Sequence, residues 1–243
     1  KEKMVNNNLD VVFDYVRRHI TYDHLWKIGV YYSQVRELGD ELHNNSHGIE
    51  IESIFRHLLK AKNITDKELS LVRCKGQREL HDFILPEPLS TKIQNKTIIR
   101  NGGLYRHFDG LKDDRNALKI IDTSRRSNQL SSDYVIDEFL TNLTEDFNIM
   151  MYVYDIKNNR GCLALTSLCE MGSTLLNSTN NEKLSLMISY NGSCQYFLNR
   201  RDVYLTAKSK NRLIEFSLPE EEEEVLKYIK FKSNPESIVD KVL

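Results

Sequence analysis

The stretch SSDYVIDEFLTNLTEDFNIMMYVYD, residues 131–155, decides the predicted fold. Its first part repeats apolar residues at a four-residue spacing, which places them along one face of an amphipathic helix; these residues are Val135, Phe139, Leu143 and Phe147. After Asn148 the pattern changes to a nearly unbroken apolar run at 149–154, which has the length of a buried strand. A helix that leads directly into a buried strand predicts the centre of an α/β or α+β core.

The first ninety residues are typical of a compact bundle of short helices. Asn8 is placed to cap a first helix, and a second helix is predicted over 22–42. The loop HNNSHG at 43–48 precedes a third helix, and the capping box TDKE at 65–68 begins a fourth. The apolar positions predicted to be buried in the first three helices are Leu9, Val12, Phe13, Val16, Ile20, Leu25, Ile28, Tyr32, Val35, Leu38, Leu42, Ile51, Ile54, Phe55, Leu58 and Leu59.

A domain boundary is predicted near residue 90. Pro86 and Pro88 end the helical region because proline cannot continue a helix interior, and the polar residues 89–96 are interpreted as a linker or surface crossing. The predicted domains are a helical bundle at 1–88 and an α/β domain with a C-terminal helix at 97–243. A single continuous domain is the alternative, because the linker is short.

The second half mixes strand and helix patterns. A strand at 97–100, a helix at 111–121 and a strand at 162–168 are predicted, together with a hairpin of 184–190 and 194–198 around Asn191-Gly192. Short strands at 203–205 and 213–216 follow, and Pro219 is placed to begin a helix. The predicted fold class is therefore α+β: an N-terminal helical bundle followed by a mixed or antiparallel sheet packed by helices.

Composition indicates an ordinary soluble globular protein in the cytoplasm. The hydrophobic fraction is 40%, the charged fraction is 28% and the formal net charge is -1, so no general attraction to nucleic acid or to an anionic membrane is implied. No apolar run has the length of a membrane-spanning helix. The four cysteines, Cys74, Cys162, Cys169 and Cys194, form no C-x-x-C pair and are interpreted as reduced thiols.

Three segments together resemble the core of the ovarian-tumour (OTU) deubiquitinases. They are NGGLYR at 101–106, the helix that runs into IMMYVYD at 149–155, and the hairpin LSLMISYNGSCQYF at 184–197, and the resemblance covers about residues 97–200. It implies a papain-like fold in which a cysteine and a histidine cleave ubiquitin linkages. The residues that would carry this chemistry are missing. Gly103 stands before Leu104-Tyr105-Arg106 with no cysteine nearby, and all seven histidines lie at or before His107. Because cysteine proteolysis needs a thiolate and an imidazole within hydrogen-bond reach, the resemblance implies a non-catalytic relative.

Asp155 and Lys157 form the strongest alternative motif. Asp155-Ile-Lys157 at the end of the buried strand has the D-x-K form seen in PD-(D/E)XK nucleases, where the carboxylate holds Mg²⁺ and the lysine supports the attacking water. Asp109, Asp113 or Asp137 would have to supply the second carboxylate. A buried strand that ends in a charged turn explains the same residues, and the pattern favours that interpretation.

Two further groups are weighed as binding sites. His43 and His47 have the four-residue spacing of zinc ligands on a helix, but the intervening residues favour a loop. Trp26 with Tyr31 is a candidate aromatic contact surface, although core packing is the favoured use.

Basic residues at the start and end of 200–212 form a candidate contact patch. The series Arg200, Arg201, Lys208, Lys210 and Arg212 has Tyr196, Phe197 and Tyr204 nearby, a combination that suits single-stranded nucleic acid, and Arg125-Arg126 forms a second patch. A solvated hairpin is favoured for 200–212, because the net charge of the chain is near zero.

The sequence therefore predicts a non-catalytic scaffold that binds another protein, with no cofactor, and with Trp26, Tyr31, Arg200 and Arg201 as candidate interaction residues. The alternative is a nuclease that uses Mg²⁺ at Asp155 with Lys157 as its catalytic partner. A deubiquitinase-like cysteine protease, with catalytic residues in segments outside this chain, is the third hypothesis. Nucleic acid is a disfavoured partner, and no membrane contact is expected.

Overall fold

The computed structural model describes residues 8–37, 46–63, 82–100, 117–122, 148–167, 170–171, 184–188 and 194–220. The described helices are α1 (Leu9–His19), α2 (Tyr22–Glu37), α3 (Ser46–Leu58) and α4 (Arg200–Ser209). The described strands are β1 (Lys62–Asn63), β2 (Phe83–Ile84), β3 (Lys92–Arg100), β4 (Ala117–Asp122), β5 (Asn148–Asp155), β6 (Arg160–Ser167), β7 (Leu184–Ile188), β8 (Cys194–Asn199) and β9 (Leu213–Ser217). The α+β class predicted from the sequence is confirmed.

The larger sheet has six strands in the order β1-β2-β3-β5-β6-β9. Its central pair, β3 and β5, is parallel, and every other neighbouring pair is antiparallel, so the sheet is mixed. β4, β8 and β7 form a separate antiparallel sheet, in which β7 and β8 are the predicted hairpin strands.

The helices α1, α2 and α3 form where the apolar spacing predicted them. Asn8 caps α1 by accepting the backbone N–H of Asp10 on its side-chain oxygen at 3.1 Å, which satisfies one of the free donors of the first turn. The predicted apolar positions that the structure describes in these helices are all buried, from Leu9 to Leu59. The Tyr15 hydroxyl donates to the Leu59 carbonyl at 2.8 Å and ties α1 to the end of α3.

One face of the large sheet packs against α1, α2 and α3 in a single hydrophobic cluster. Tyr152 and Tyr154 of β5 belong to it, and the buried Tyr152 hydroxyl donates to the Leu25 carbonyl of α2 at 2.8 Å. At Gly29 an added Cβ would lie 2.3 Å from the Tyr154 ring, so glycine is what lets α2 approach the sheet this closely. The division at 1–88 and 97–243 stays a prediction; the described parts of both ranges contribute to this one cluster.

The opposite face of the sheet is also covered. Every residue of β5 is buried, including Ile149, Met151 and Val153, which alternate with the helix-facing residues. α4 packs on β6 and buries Val203, Tyr204 and Ala207. The sheet centre is therefore enclosed on both faces, which explains the continuous apolar run that β5 shows in the sequence.

Four local predictions are wrong. Residues 92–96 are not a linker but part of β3, and residues 117–121 are not helical but belong to β4. The predicted strand at 203–205 lies in α4, because Val203, Tyr204 and Ala207 follow helical rather than alternating periodicity. Residues 46–48 begin α3 instead of continuing the loop HNNSHG.

Several predicted features lie outside the described residues: the helix at 131–147, the NGGLYR segment, the capping box at 65–68, the Asn191-Gly192 turn and the helix after Pro219 beyond residue 220. None of the described helices is both long enough and apolar enough to cross a membrane.

Candidate functional site at the carboxyl ends of β3 and β5

Three charged residues lie side by side where the two parallel strands end. Arg100 of β3 pairs with Asp155 of β5, and Asp155 pairs with Arg160 of β6. Directly paired residues of neighbouring strands project from the same face of a sheet, with Cβ atoms about 4.5–5.5 Å apart. This face is the one opposite α1, α2 and α3, because the preceding residue, Tyr154, lies in the helix-facing cluster. The carboxyl ends of parallel strands are where α/β folds place ligands, so we take this arginine–aspartate–arginine row as the candidate site.

Asp155 is fully buried and is used by the turn that joins β5 to β6. Its Oδ1 accepts the backbone N–H groups of Lys157 at 3.1 Å and of Asn158 at 3.4 Å. Its Oδ2 accepts the side-chain amide of Asn158 at 2.7 Å. This is the Asx-type turn that a short acidic side chain makes with the residues that follow it.

The Asp155-Ile-Lys157 motif does not assemble a magnesium site from the described residues. Both Asp155 oxygens already accept hydrogen bonds, and the contact from Lys157 is made by its backbone rather than by its exposed ammonium group. In the described ranges, no three His, Cys, Asp or Glu side chains lie close enough to hold a metal ion. Mg²⁺ binds several oxygen ligands in near-octahedral geometry, which the described surroundings of Asp155 do not offer.

Arg200 brings a third guanidinium group to this end of the sheet. It is the first residue of α4 and is half-buried, and the withdrawal from water together with the nearby Arg100 guanidinium lowers its pKa to about 10. Its Nε and Nη1 atoms are buried and have no hydrogen-bond partner in the part of the chain that the structure describes. Buried polar groups are normally paired, so this guanidinium is unusual.

The remaining residues of the predicted basic patch do not share one surface. The solvated-hairpin interpretation of 200–212 is wrong, because the segment is a helix followed by β9. Lys208 and Lys210 are exposed, but Arg212 is buried in an ion pair with Glu170. Tyr204 is buried beneath α4 rather than available for stacking on bases, and the side chains of Tyr196 and Phe197 lie outside the described residues.

Cys162 and the described histidine side chains lie on opposite sides of the sheet. Cys162 is buried on β6 and pairs with Val153, on the face away from α1, α2 and α3. His19, His24 and His57 belong to α1, α2 and α3, so the sheet separates their imidazoles from this thiol. His47 lies in α3, but its side chain is not among those that the structure describes. His43 lies outside the described residues altogether.

Trp26 and Tyr31 belong to the core. They are 2% and 4% exposed. This burial agrees with core packing, the use that the sequence favoured over a contact surface. The Lys27 ammonium lies 5.7 Å from the Trp26 ring centroid, a cation–π contact at the rim of that core.

Two charged clusters were not identified from the sequence. Arg212 with Glu170 joins residues 42 positions apart, and the acidic pair Glu52 and Asp82 interacts electrostatically between α3 and the start of β2. These groups come together only in the folded structure, and no local sequence motif indicates either cluster.

No family model matches this sequence, and the searches of curated proteins and of solved structures also returned no match.

Proposed function

We propose that this chain is a non-catalytic interaction module that binds another protein through the start of α4, with Arg200 and Arg201 in the contact. The observation that carries the proposal is the Arg200 guanidinium, whose buried Nε and Nη1 have no acceptor within the described chain. A guanidinium withdrawn from water is costly unless an acceptor completes it, and a partner's acidic group supplies one. Arg201 lies next to it in the first turn of α4 and is also half-buried.

The proposal includes the scaffold inferred from the sequence: an N-terminal helical bundle at 1–88 and an OTU-like α/β domain that lacks its cysteine and histidine. The described geometry supports the non-catalytic part. Asp155 is engaged by its own turn, and Cys162 lies across the sheet from the described imidazoles. Since nucleophilic catalysis requires a base within hydrogen-bond reach of the nucleophile, neither residue is placed as a catalytic group by its described neighbours.

Site-specific photo-crosslinking tests the binding surface. A photoreactive residue at position 201 should give a discrete covalent adduct with a partner protein, and the same residue at exposed position 17 of α1 serves as the control site. The adduct should disappear when Arg200→Glu is added, because reversing the charge repels an acidic partner. An adduct that survives Arg200→Glu, or that forms equally from position 17, would argue against this surface.

Two activity assays test the non-catalytic half of the proposal. A ubiquitin-based suicide probe should leave the mass of the protein unchanged, since none of its cysteines is placed as a protease nucleophile by the inferred scaffold. Mg²⁺-dependent cleavage of nucleic acid should be absent from the wild type and from Asp155→Ala alike. Labelling of a cysteine, or cleavage that depends on Asp155, would overturn the assignment.

A further inference from the structure

We propose that the start of α2 is a pH-sensitive switch: protonation of His24 opens the helix cap that it forms with Thr21 and frees the end of β9 from Tyr22. The proposal goes beyond the binding surface at α4 and does not depend on it. It starts from two reciprocal hydrogen bonds between Thr21 and His24, which enclose the first turn of the helix.

Thr21 and His24 form a capping box in which histidine takes the place of the usual glutamate or glutamine. The Thr21 hydroxyl oxygen accepts the His24 backbone N–H at 3.3 Å, and the His24 Nδ1 accepts the Thr21 backbone N–H at 3.1 Å. Because a backbone N–H can only donate, Nδ1 must carry a free lone pair. In the protonated imidazole both ring nitrogens carry hydrogen, so protonation breaks the second of these bonds.

The surroundings of His24 favour its neutral form. Burial is the largest influence and lowers the pKa of the imidazole; the charge of Asp23 raises it, that of Lys27 lowers it, and a hydrogen bond with the His19 backbone raises it. The positive end of the helix macrodipole also disfavours an imidazolium in the first turn. Since His24 is only half-buried, protons from the solvent reach the ring.

No described element packed against this turn brings a free acidic group to His24. The charged residues in the last turn of α1 and on the strands that contact α2 are Arg17, Arg18, His19, Arg160 and Glu215. The three on α1 contact Asp14 or the backbone of the preceding turn. The two on the strands lie on the face of the sheet opposite α2. The described counter-charge for an imidazolium is therefore Asp23, which is already paired with Lys27 at 2.6 Å.

The same turn of α2 holds the end of β9. The Tyr22 hydroxyl accepts the Ser217 backbone N–H at 2.8 Å and lies 3.3 Å from the Ser217 carbonyl oxygen. The Tyr22 ring packs edge-on against Phe216, with the ring centroids 6.4 Å apart. β9 is the last strand in the described sheet order, so a side chain rather than a neighbouring strand accepts this N–H. Because Tyr22 lies between Thr21 and His24, opening of the capping box loosens the turn that positions its hydroxyl.

The direction of the pH effect follows from the lowered pKa of His24. The unfolded chain binds a proton at His24 more readily than the folded chain does, so stability increases with pH in this range. The contribution of the capping box is fully present above the ordinary histidine pKa of about 6.5. It is lost as the pH falls from there through the pKa of the folded state. The switch is therefore closed at neutral pH and opens in mild acid.

Hydrogen exchange of the full chain, measured by NMR from about pH 7.5 to about pH 5 and corrected for intrinsic exchange rates, tests the switch. The Thr21 and Ser217 amides should both lose protection as the pH falls, by about threefold to thirtyfold, the range for a lost helix cap. The midpoint should equal that of the His24 ring signals. The Leu165 N–H donates to the Arg212 carbonyl near the other end of β9 at 3.1 Å, and it should stay protected.

Three histidine variants identify the group responsible. His24→Gln keeps a capping-box acceptor that does not titrate, so the Thr21 and Ser217 amides should stay protected over the whole range. His24→Ala removes the acceptor, so both amides should be weakly protected at every pH. His57→Gln is the matched control, because His57 is an exposed histidine on α3, and it should give the wild-type pH profile.

The switch is ruled out if Thr21 stays protected in acid or if His24→Gln keeps the wild-type pH dependence. Parallel loss at Leu165 would show global unfolding and would also rule it out. Tyr22→Phe tests the link to β9: Ser217 should lose protection at every pH, whereas Thr21 should keep its pH dependence. Acid opening at Thr21 with unchanged protection at Ser217 would refute that link. If a variant fails to fold, the coincidence of the three midpoints in the wild type decides the question.

Discussion

The two arginines that flank α4 have opposite electrostatic surroundings. Arg212, just after the helix, is almost fully buried and makes a two-pronged contact with Glu170, Nη1 to Oε2 at 3.0 Å and Nη2 to Oε1. Its Nε lies 3.3 Å from Asp10 Oδ1 of α1. Arg200, at the start of the helix, is half-buried, its pKa is lowered by burial and by the charge of Arg100, and its Nε and Nη1 have no hydrogen-bond partner among the described residues.

The comparison shows that burial of a charge does not by itself identify a functional residue. At Arg212 the positive charge, the carboxylate and the surrounding donors complete one another: Glu170 Oε2 also accepts the Thr166 hydroxyl at 3.1 Å, and the Arg212 carbonyl accepts the Leu165 N–H at 3.1 Å. Both Nη atoms of Arg212 are thereby paired, and its Nε lies beside the Asp10 carboxylate without making a hydrogen bond. At Arg200 the fold leaves both Nε and Nη1 without a hydrogen-bond partner among the described residues, and unused buried donors are what a ligand can exploit.

The largest expected effect on stability is that of replacing Arg212, the arginine paired with Glu170. Arg212→Met should lower the free energy of unfolding by about 3–5 kcal/mol, because it leaves the Glu170 carboxylate without its buried partner. Urea unfolding followed by the fluorescence of Trp26, the single tryptophan and a buried one, measures it. In the double variant with Glu170→Gln the two losses should be strongly non-additive. A loss below about 1 kcal/mol would show that the pair does not hold α1, β6 and β9 together.

Asp155 should show the next largest effect, because it supplies the buried negative charge at the Arg200 end of the sheet. Asp155→Ala removes three hydrogen bonds from the β5–β6 turn and leaves Arg100 and Arg160 facing each other across an apolar side chain. We expect a loss of about 2–3 kcal/mol in unfolding free energy. Asp155→Asn keeps an oxygen for the two backbone N–H groups, so it should lose less; an equal loss would assign the effect to charge alone.

Two neighbouring acidic side chains, Glu52 and Asp82, should make the stability of the protein depend on pH. Asp82 accepts the Gln94 side-chain amide at 2.8 Å and the Asn95 N–H at 2.6 Å, and burial raises its pKa to about 6. Burial, and then the nearby Asp82, raise the pKa of Glu52 on α3 to about 7, while Arg56 and Lys96 oppose the shift.

Both carboxyl groups bind protons more tightly in the folded state, so their contribution to stability is fully present below their unfolded pKa values. It is lost as the pH rises through about 6 for Asp82 and about 7 for Glu52. The Tm of the wild type should therefore fall between about pH 5 and pH 7 relative to Glu52→Gln, which removes the upper part of the transition. Calorimetry at several pH values measures it, and parallel pH profiles for the two proteins would contradict the assignment.

Local periodicity predicted most of the described fold and little of the candidate site. The burial of Val12 and Phe13 in α1 and of Met150 to Tyr154 in β5 follows from spacing alone, so α1, α3, β5 and the β7–β8 hairpin strands were predictable. Residues 203–205 were misassigned because three apolar or aromatic residues in a row match a strand as well as a helix.

The charged clusters could not be predicted, because each depends on register between segments distant in sequence. The pairing of Arg100 with Asp155 requires β3 to extend back to Lys92, a segment whose polar residues indicated a linker. The Arg200-Arg201 doublet was visible as a candidate contact, but nothing local showed that the charge of Arg100 acts on Arg200 or that Arg212 is paired with Glu170. The sequence showed which residues are charged, but only the tertiary structure shows which of these charges has a partner within the fold.

The smallest effect is expected at Arg200 itself, and it should have the opposite sign to that at Arg212. Arg200→Gln removes a charge that the charge of Arg100 repels and whose Nε and Nη1 have no described hydrogen-bond partner, so the unfolding free energy should rise, by no more than about 1 kcal/mol. Added NaCl should reduce the difference in unfolding free energy between the variant and the wild type, because salt screens the repulsion between the two guanidinium groups. Arg18→Gln should stay within about 0.5 kcal/mol of the wild type at every salt concentration. A loss of several kcal/mol for Arg200→Gln in urea unfolding would place Arg200 with Arg212 as a structural arginine, whereas a small gain is expected for a guanidinium group that the described fold does not pair.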